Sequence, residues 1–191
     1  TEHNIDAYAV FSELYAITSD ERYREAAESA RQFIVSMYDS EKGYFYTGTG
    51  EDGITPSKEN VVLDAQVWTL LSLGIDQYDP FSKALDTALE MKTSEGGYPF
   101  HAENTNGGWW PEGTAFTALA LREIGKSTDA LSALDALMNI QLESGAFPAA
   151  TVSNLSTGFN LFTGEPWTYS ENPHIAPTAW FIMAVNGFNP Y

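Results

Sequence analysis

Ile5, Tyr8, Ala9, Phe11 and Leu14 fall near helical spacing, and Asp20 then caps a second pattern through Tyr23, Ala26, Ala27, Ala30, Phe33, Ile34 and Met37. Together they predict a helical hairpin. Gly43-Tyr-Phe-Tyr46 reads as an extended stretch and the Gly/Thr/Asp/Pro-rich segment 48–57 as a turn. Val61 to Leu73 is nearly all apolar and stops at Gly74, whereas Pro80 opens an amphipathic pattern through Phe81, Leu85, Ala88, Leu89 and Met91. Gly96-Gly-Tyr-Pro-Phe100 follows. Pro111 opens a helix from Glu112 to Ile124, and Thr128 caps another from Ala130 to Leu142, after which comes Gly145-Ala-Phe-Pro148. Pro173 starts a last helix through Ala176, Trp180, Met183 and Ala184, closed by Gly187.

Gly43, Gly97 and Gly145 each follow an amphipathic helix and introduce an aromatic/Pro segment at intervals of about 50 residues, so a helix–helix–loop unit is repeated. One helix of each pair is apolar all round and the other amphipathic. The first kind must be buried among helices and the second can form an outer wall, which predicts inner and outer helical layers rather than an irregular bundle.

Gln141-x-x-x-Gly145-x-Phe147 resembles the repeat of α/α-toroid proteins such as terpenoid cyclases. The segments Thr1-Glu-His-Asn-Ile-Asp6, Trp110-Pro-Glu-Gly-Thr114 and His174-Ile-Ala-Pro-Thr178 are more similar to the six-hairpin glycosidases. The resemblance implies an all-α chain, an α/α toroid or partial toroid of helical hairpins with long aromatic-rich loops and few or no short strands. It implies carbohydrate chemistry. Three hairpins plus one inner helix fall short of the resembled ring. The expectation is therefore a single toroid-like domain over residues 1–191, either the C-terminal part of a longer protein or a ring completed by another segment or subunit, or else a reduced relative.

Composition narrows the partners. The sequence has 26 acidic and 9 basic residues, a formal charge of −17, and 43% hydrophobic content, so the charge belongs to a folded surface. Such a field repels phosphate backbones and anionic head groups, which excludes nucleic acid and membrane partners. No Lys or Arg follows Lys126, so the last third has no cation to grip an anionic ligand. Absence of cysteine removes disulfides and thiol chemistry. No apolar run approaches the roughly 20 residues of a membrane span, and Thr1 to Asn4 lacks the pattern of a signal peptide. The chain reads as soluble; its compartment stays open, extracellular or periplasmic if an export signal has been removed.

Polar residues gather at the N-terminal ends of the inner helices: Glu2, His3, Asn4 and Asp6; Glu59, Asn60 and Asp64; Glu112, Thr114 and Thr117; Glu171, Asn172, His174 and Thr178. Capping accounts for any one of them. It does not account for two of three histidines lying there, nor for the aromatics nearby: Trp109 and Trp110 next to Glu112, Trp167 and Tyr169 next to Glu171 and His174, and Tyr98 and Phe100 before His101. Indole and phenol faces stack on pyranose rings while carboxylates and amides bond the hydroxyls, which fits a neutral oligo- or polysaccharide. Trp68, Phe116, Trp180 and Phe181 lie inside helices and are assigned to core.

Glycoside hydrolysis needs two carboxyls, one acid and one base or nucleophile. Glu112, after Trp109-Trp110-Pro111, is the acid candidate, because an apolar neighbourhood raises a carboxyl's pKa. Asp6 and Asp64 are candidates for the counterpart, with Glu2 behind them; Asp64 fits a buried structural network equally well. Substrate contacts fall to His3, Asn4, Trp109, Trp110, Trp167, Tyr169 and His174. Other readings are weaker: a uronate lyase lacks its cation, terpene cyclisation lacks an Asp-rich motif, and zinc on Glu2, His3, Asp6 and His174 rests on a lone His-x-x-Asp. Glu51-Asp52-Gly53 reads as an acidic turn before a calcium loop. No metal or cofactor is expected. The reading is a glycoside hydrolase; the alternative is a non-catalytic glycan-binding or structural module of the same fold.

Overall fold

The computed structural model describes residues 1–74, 78–104 and 106–191. The described residues contain seven helices and six short strands, which fall into two compact units, Thr1–Thr87 with Tyr191, and Ala88–Pro190. No described helix is long and apolar enough to cross a membrane.

In the first unit α1 (Glu2–Thr18) and α2 (Glu21–Ser36) form the hairpin expected from their spacing. Ser19 closes α1 in the left-handed conformation, and the Asp20 side chain accepts the Arg22 N–H at 3.0 Å, so the turn and the next cap are adjacent residues. Helix α2 buries Ala27, Ala30 and Ile34, a single stripe. Strands β1 (Tyr38–Asp39) and β2 (Tyr44–Phe45) pair antiparallel, and their turn closes on Gly43 at φ 78°. In α3 (Leu63–Leu73) all residues but Ser72 are buried, as an inner helix requires. The first helix differs. Glu2 to Asp6 lie inside its opening turns rather than before it, only Ile5 is buried, and Val10 and Ile17 are exposed.

Helix α4 (Tyr78–Glu90) begins two residues before Pro80, which stands in its first turn, and the unit boundary falls within it. In the second unit α5 (Pro111–Glu123) is almost wholly buried, and α6 (Ser127–Met138) buries Ala130, Ala133, Ala136 and Leu137. Thr128 is not the cap of α6: the helix starts at Ser127, and it ends four residues before Leu142 because a turn from Leu142 to Ala146 takes over the backbone bonds. Strand β3 (Phe147–Pro148) pairs with β6 (Pro173–His174), and β4 (Leu155–Asn160) with β5 (Pro166–Tyr169), all antiparallel. Pro173 therefore does not begin a helix. Helix α7 (Ile175–Asn186) starts after it, with His174 extended at its N-terminal flank, and Arg122 donates to the Ala184 and Val185 carbonyls at its C-terminal end.

One device recurs three times. Gly43, Gly96 and Gly145 all have positive φ, and two residues after each stands a buried aromatic, Phe45, Tyr98 or Phe147. The backbone N–H of that aromatic donates to a side chain at the fourth residue of a following helix: Gln66 at 2.7 Å, Thr114 at 2.9 Å and Thr178 at 3.1 Å. The same side chain donates back to the carbonyl preceding its own helix, Val62, Trp110 or His174. Each aromatic loop is thus clamped to the start of a helix by one side chain that both accepts and donates. The repeat runs through Gly96, not Gly97; Gly97 is needed because a Cβ there would meet the Trp109 ring at 2.0 Å.

The acidic turn is closed by its own donors. Asp52 accepts from the Ile54 and Thr55 N–H groups and from the Thr55 hydroxyl, and these bonds, the hydroxyl first, pull its carboxyl down to about 2. A lowered carboxyl pKa supports the turn above the ordinary Asp range, with that support lost as pH falls toward about 2. Carbon-detected NMR titration is expected to place the Asp52 midpoint near 2, and Thr55→Val to raise it. An unchanged midpoint in Thr55→Val would remove the hydroxyl as the main cause.

Candidate functional site

In the first unit three candidate carboxyls act on one group. The Tyr191 phenol donates to Asp6 Oδ1 at 3.3 Å and packs on Trp68 with ring centroids 6.0 Å apart. Burial pushes this phenol well above the ordinary tyrosine range, and the negative charges of Asp6, Asp64 and Glu2 push it the same way, so it is a permanent donor among acceptors. Asp6 and Glu2 are exposed, while Asp64 is only 4% exposed, in the first turn of α3, where it accepts the Ala65 N–H. Carboxyls in such unlike surroundings are suited to different tasks. His3 is exposed and Asn4 half-buried on the opening turn of α1. Tyr191 carried no signal in the sequence, since its partner Asp6 lies 185 residues away.

In the second unit the aromatic candidates separate. Trp109 is buried with its ring over Gly97, and its indole N–H donates to Glu95 at 3.0 Å, so it belongs to the interior; Trp110 is buried as well, 3% exposed. Trp110, the next residue, points its ring elsewhere, as alternate residues of an extended segment do. It packs on Phe100 at 4.5 Å and lies nearly parallel to Tyr169, with centroids 6.3 Å apart and planes 9° apart. Tyr169 in turn meets Trp167 at 5.8 Å and His174 at 6.4 Å. From Trp180 and Phe116 in the core, the rings run through Trp110, Phe100 and Tyr169 to exposed His174 and to Trp167, 39% exposed. Aromatic faces therefore lead from the interior to solvent on one unit. Phe100, whose ring packs against Trp110, Trp167 and Tyr169, is the hub of this cluster.

Glu112 is the second residue of α5, half-buried directly after Trp110 and Pro111. Asp64 is the second residue of α3. Both stand two residues before a clamp side chain, Thr114 and Gln66, so the two carboxyls occupy one position of the repeat. In the third repeat Ala176 takes that place. Glu171 is exposed and accepts the Ser153 hydroxyl at 2.7 Å. Two of the three cations of this unit are bonded elsewhere: Arg122 caps α7, and Lys92 reaches Ser132 at 3.3 Å. Among the described residues no three His, Asp or Glu side chains form a cluster able to hold a metal ion.

No protein-family profile and no curated protein sequence matches the chain. Its fold matches solved structures. A polysaccharide lyase superposes with a TM-score of 0.67 at 17% identity, over 97% of this chain and 60% of the other. An unsaturated glucuronyl hydrolase from Streptococcus agalactiae gives 0.64 at 13%, over 95% and 56%. A cellobiose 2-epimerase from Bacillus thermoamylovorans gives 0.61 at 12%, over 95% and 51%. The chain spans three fifths or less of the length of these proteins. At such identities the likeness establishes the fold, the hairpin architecture of the α/α toroid.

Proposed function

We propose that this chain is a carbohydrate-active enzyme domain, a glycoside hydrolase that cleaves a neutral glycan by paired-carboxylate acid/base catalysis. The observation that carries the reading is the repeat position shared by Asp64 and Glu112 at the starts of α3 and α5. It is supported by the fold, since a lyase, a glucuronyl hydrolase and an epimerase of sugars share it. The proposed acid, in the second unit, is Glu112, which gives its proton to the glycosidic oxygen as the bond breaks; the candidates for its counterpart, in the first unit, are Asp64, Asp6 and Glu2, which as base would take a proton from the water that attacks the anomeric carbon, or as nucleophile would attack that carbon directly before water releases the sugar. In the second unit Trp167, Tyr169 and His174 hold the sugar by its faces and hydroxyls, with buried Trp110 packed behind Tyr169; in the first unit His3 and Asn4 are the candidate contacts. A neutral substrate is supported by the absence of any basic residue after Lys126 and by the engagement of Arg122 and Lys92 elsewhere.

The direct test is incubation with neutral oligosaccharides and with unsaturated uronyl oligosaccharides, followed by chromatography of the products. Cleavage of a neutral member is the expected result. Cleavage confined to the uronyl set would overturn the neutral assignment, and no cleavage of either would overturn the hydrolase.

A second reading rests on α7. It is apolar on all sides, yet Ile175, Ile182 and Val185 are exposed, with Ile175 82% exposed. An inner-type helix with one open apolar face fits a toroid module completed by further helices from another segment or subunit. Sedimentation of the native protein as a monomer, with no binding of a hydrophobic dye, would remove this reading.

A further inference from the structure

The β4–β5 hairpin is rooted in the aromatic cluster and ends in solvent. At its base Leu155 and Thr157 are buried and Tyr169 and Trp167 pack on Phe100, whereas residues 160–167 are all exposed. The register shifts between Ser156 and Asn160, where Gly158 has φ 80°. Such a bulge re-aims the side chains around it. The Thr157 hydroxyl donates to the Trp167 carbonyl at 2.8 Å and the Gly158 N–H to the Ser156 hydroxyl at 3.0 Å, so the bulge is tied to the strand that carries Trp167. Asn160 is the partner of Pro166 and strand side chains alternate, so Phe159 shares the face of Trp167 and Tyr169. Beyond them the turn is closed by the Leu161 N–H on the Glu165 carbonyl and the Gly164 N–H on the Leu161 carbonyl, both at 2.8 Å. It carries exposed Leu161 and wholly exposed Phe162 about 10 Å past Trp167, at roughly 3.3 Å per residue. An apolar ring left in water adds nothing to folding. The exposed apolar side chains of this strip are interspersed with Asn160, Thr163 and Glu165, and they are too few for a stable protein interface, which needs about 800 Å² from each partner. No basic residue lies on the hairpin, as an anionic membrane surface would require. Apolar side chains set among amide and hydroxyl groups suit an extended neutral glycan, whose rings present apolar faces edged by hydroxyls.

We propose that the tip of this hairpin, Leu161 and Phe162, is a second contact for a neutral glycan chain whose other part lies on Trp167 and Tyr169, so that the protein prefers long chains to short ones. The inference rests on the glycan reading above and adds a chain-length preference to it. The test compares native protein with Phe162→Ala on cellobiose and cellohexaose, xylobiose and xylohexaose, and mannobiose and mannohexaose, reading KM where the sugar is cleaved and calorimetric Kd where it is not. At least one hexaose is expected to bind more tightly than its biose. Phe162→Ala is expected to weaken that hexaose about threefold or more, the ordinary worth of one aromatic contact, and to leave the biose unchanged. Phe162→Tyr keeps the ring and is expected to keep the preference, whereas Trp167→Ala is expected to weaken both lengths. The melting temperature of Phe162→Ala is expected to match the parent, because the ring it removes is wholly exposed. Sugar binding without a length preference, or with a preference that Phe162→Ala leaves intact, would overturn the inference and leave the glycan reading standing. So would equal weakening of both lengths by Phe162→Ala. Self-association in sedimentation, or retention on phosphatidylcholine and phosphatidylserine vesicles, that Phe162→Ala abolishes would give the tip to a protein or membrane contact and overturn the inference as well. Neither binding nor turnover of any of these sugars would overturn both.

Discussion

Glu112→Gln is expected to lower turnover of a cleaved oligosaccharide by about two to four orders of magnitude, the range associated with loss of a positioned proton donor. The change keeps the side chain's size and its place at the second residue of α5, and removes only the ionisable proton. Its effect on stability is small by comparison: a first-turn carboxylate contributes about 0.3–1 kcal/mol through the helix N-terminus, so the variant folds. Asp64→Asn makes the necessary comparison, because Asp64 holds the same repeat position but is nearly fully buried and accepts the Ala65 N–H. If both are catalytic, each variant loses kcat with an unchanged affinity for substrate; if Asp64 serves only the fold, its variant loses stability and keeps kcat. Turnover of Glu112→Gln within about twofold of the parent would sink the assignment of the acid, since no general acid of ordinary contribution is dispensable to that degree.

The helices were legible because burial imposes a period. Ala27, Ala30 and Ile34 form a stripe readable in one line of sequence, and the near-continuous apolar run of α3 could serve only an interior helix. Asp20 was legible as a cap because its chemistry is local. What escaped was non-local or degenerate in residue type. Gln66, Thr114 and Thr178 do one job with different side chains, so no identity recurs to be counted; the shared property is the capacity to donate and accept at once. Between Gly96 and Gly97 the sequence offers no choice, whereas the backbone does: Gly96 has φ 93°, and Gly97 is small to admit Trp109. Trp109 and Trp110 look alike as neighbours, yet an extended backbone sends one under Gly97 and the other to Phe100. Glu2, Asp6 and Asp64 were named from their places at helix starts, and Tyr191, the group on which they act together, was unreadable across the length of the chain.

The clamp carries the largest expected stability effect. Gln66→Leu removes the acceptor of the Phe45 N–H and the donor to the Phe45 and Val62 carbonyls, all in a buried setting. Each stranded backbone group costs about 1–3 kcal/mol, partly offset by the gain of an apolar side chain, so a loss of about 2–4 kcal/mol is expected. Thr114→Val is nearly isosteric and strands less: Tyr98 N–H loses its acceptor, while the Trp110 carbonyl still accepts the Thr114 N–H at 2.9 Å, which sets the loss at about 1–3 kcal/mol. Thr178 is half-buried, so water replaces part of what Thr178→Val removes, and its effect is the smallest of the three. Urea unfolding measures the order, and hydrogen exchange assigns it, because Gln66→Leu exposes the Phe45 amide and Thr114→Val that of Tyr98. Equal, sub-half-kcal/mol effects, of the size of ordinary surface substitutions, would mean that the aromatic loops are held by packing alone. The predicted order would show instead that the repeat is joined at these three side chains, each placed in the turn where its helix begins and, in two of the repeats, two residues beyond a candidate carboxyl.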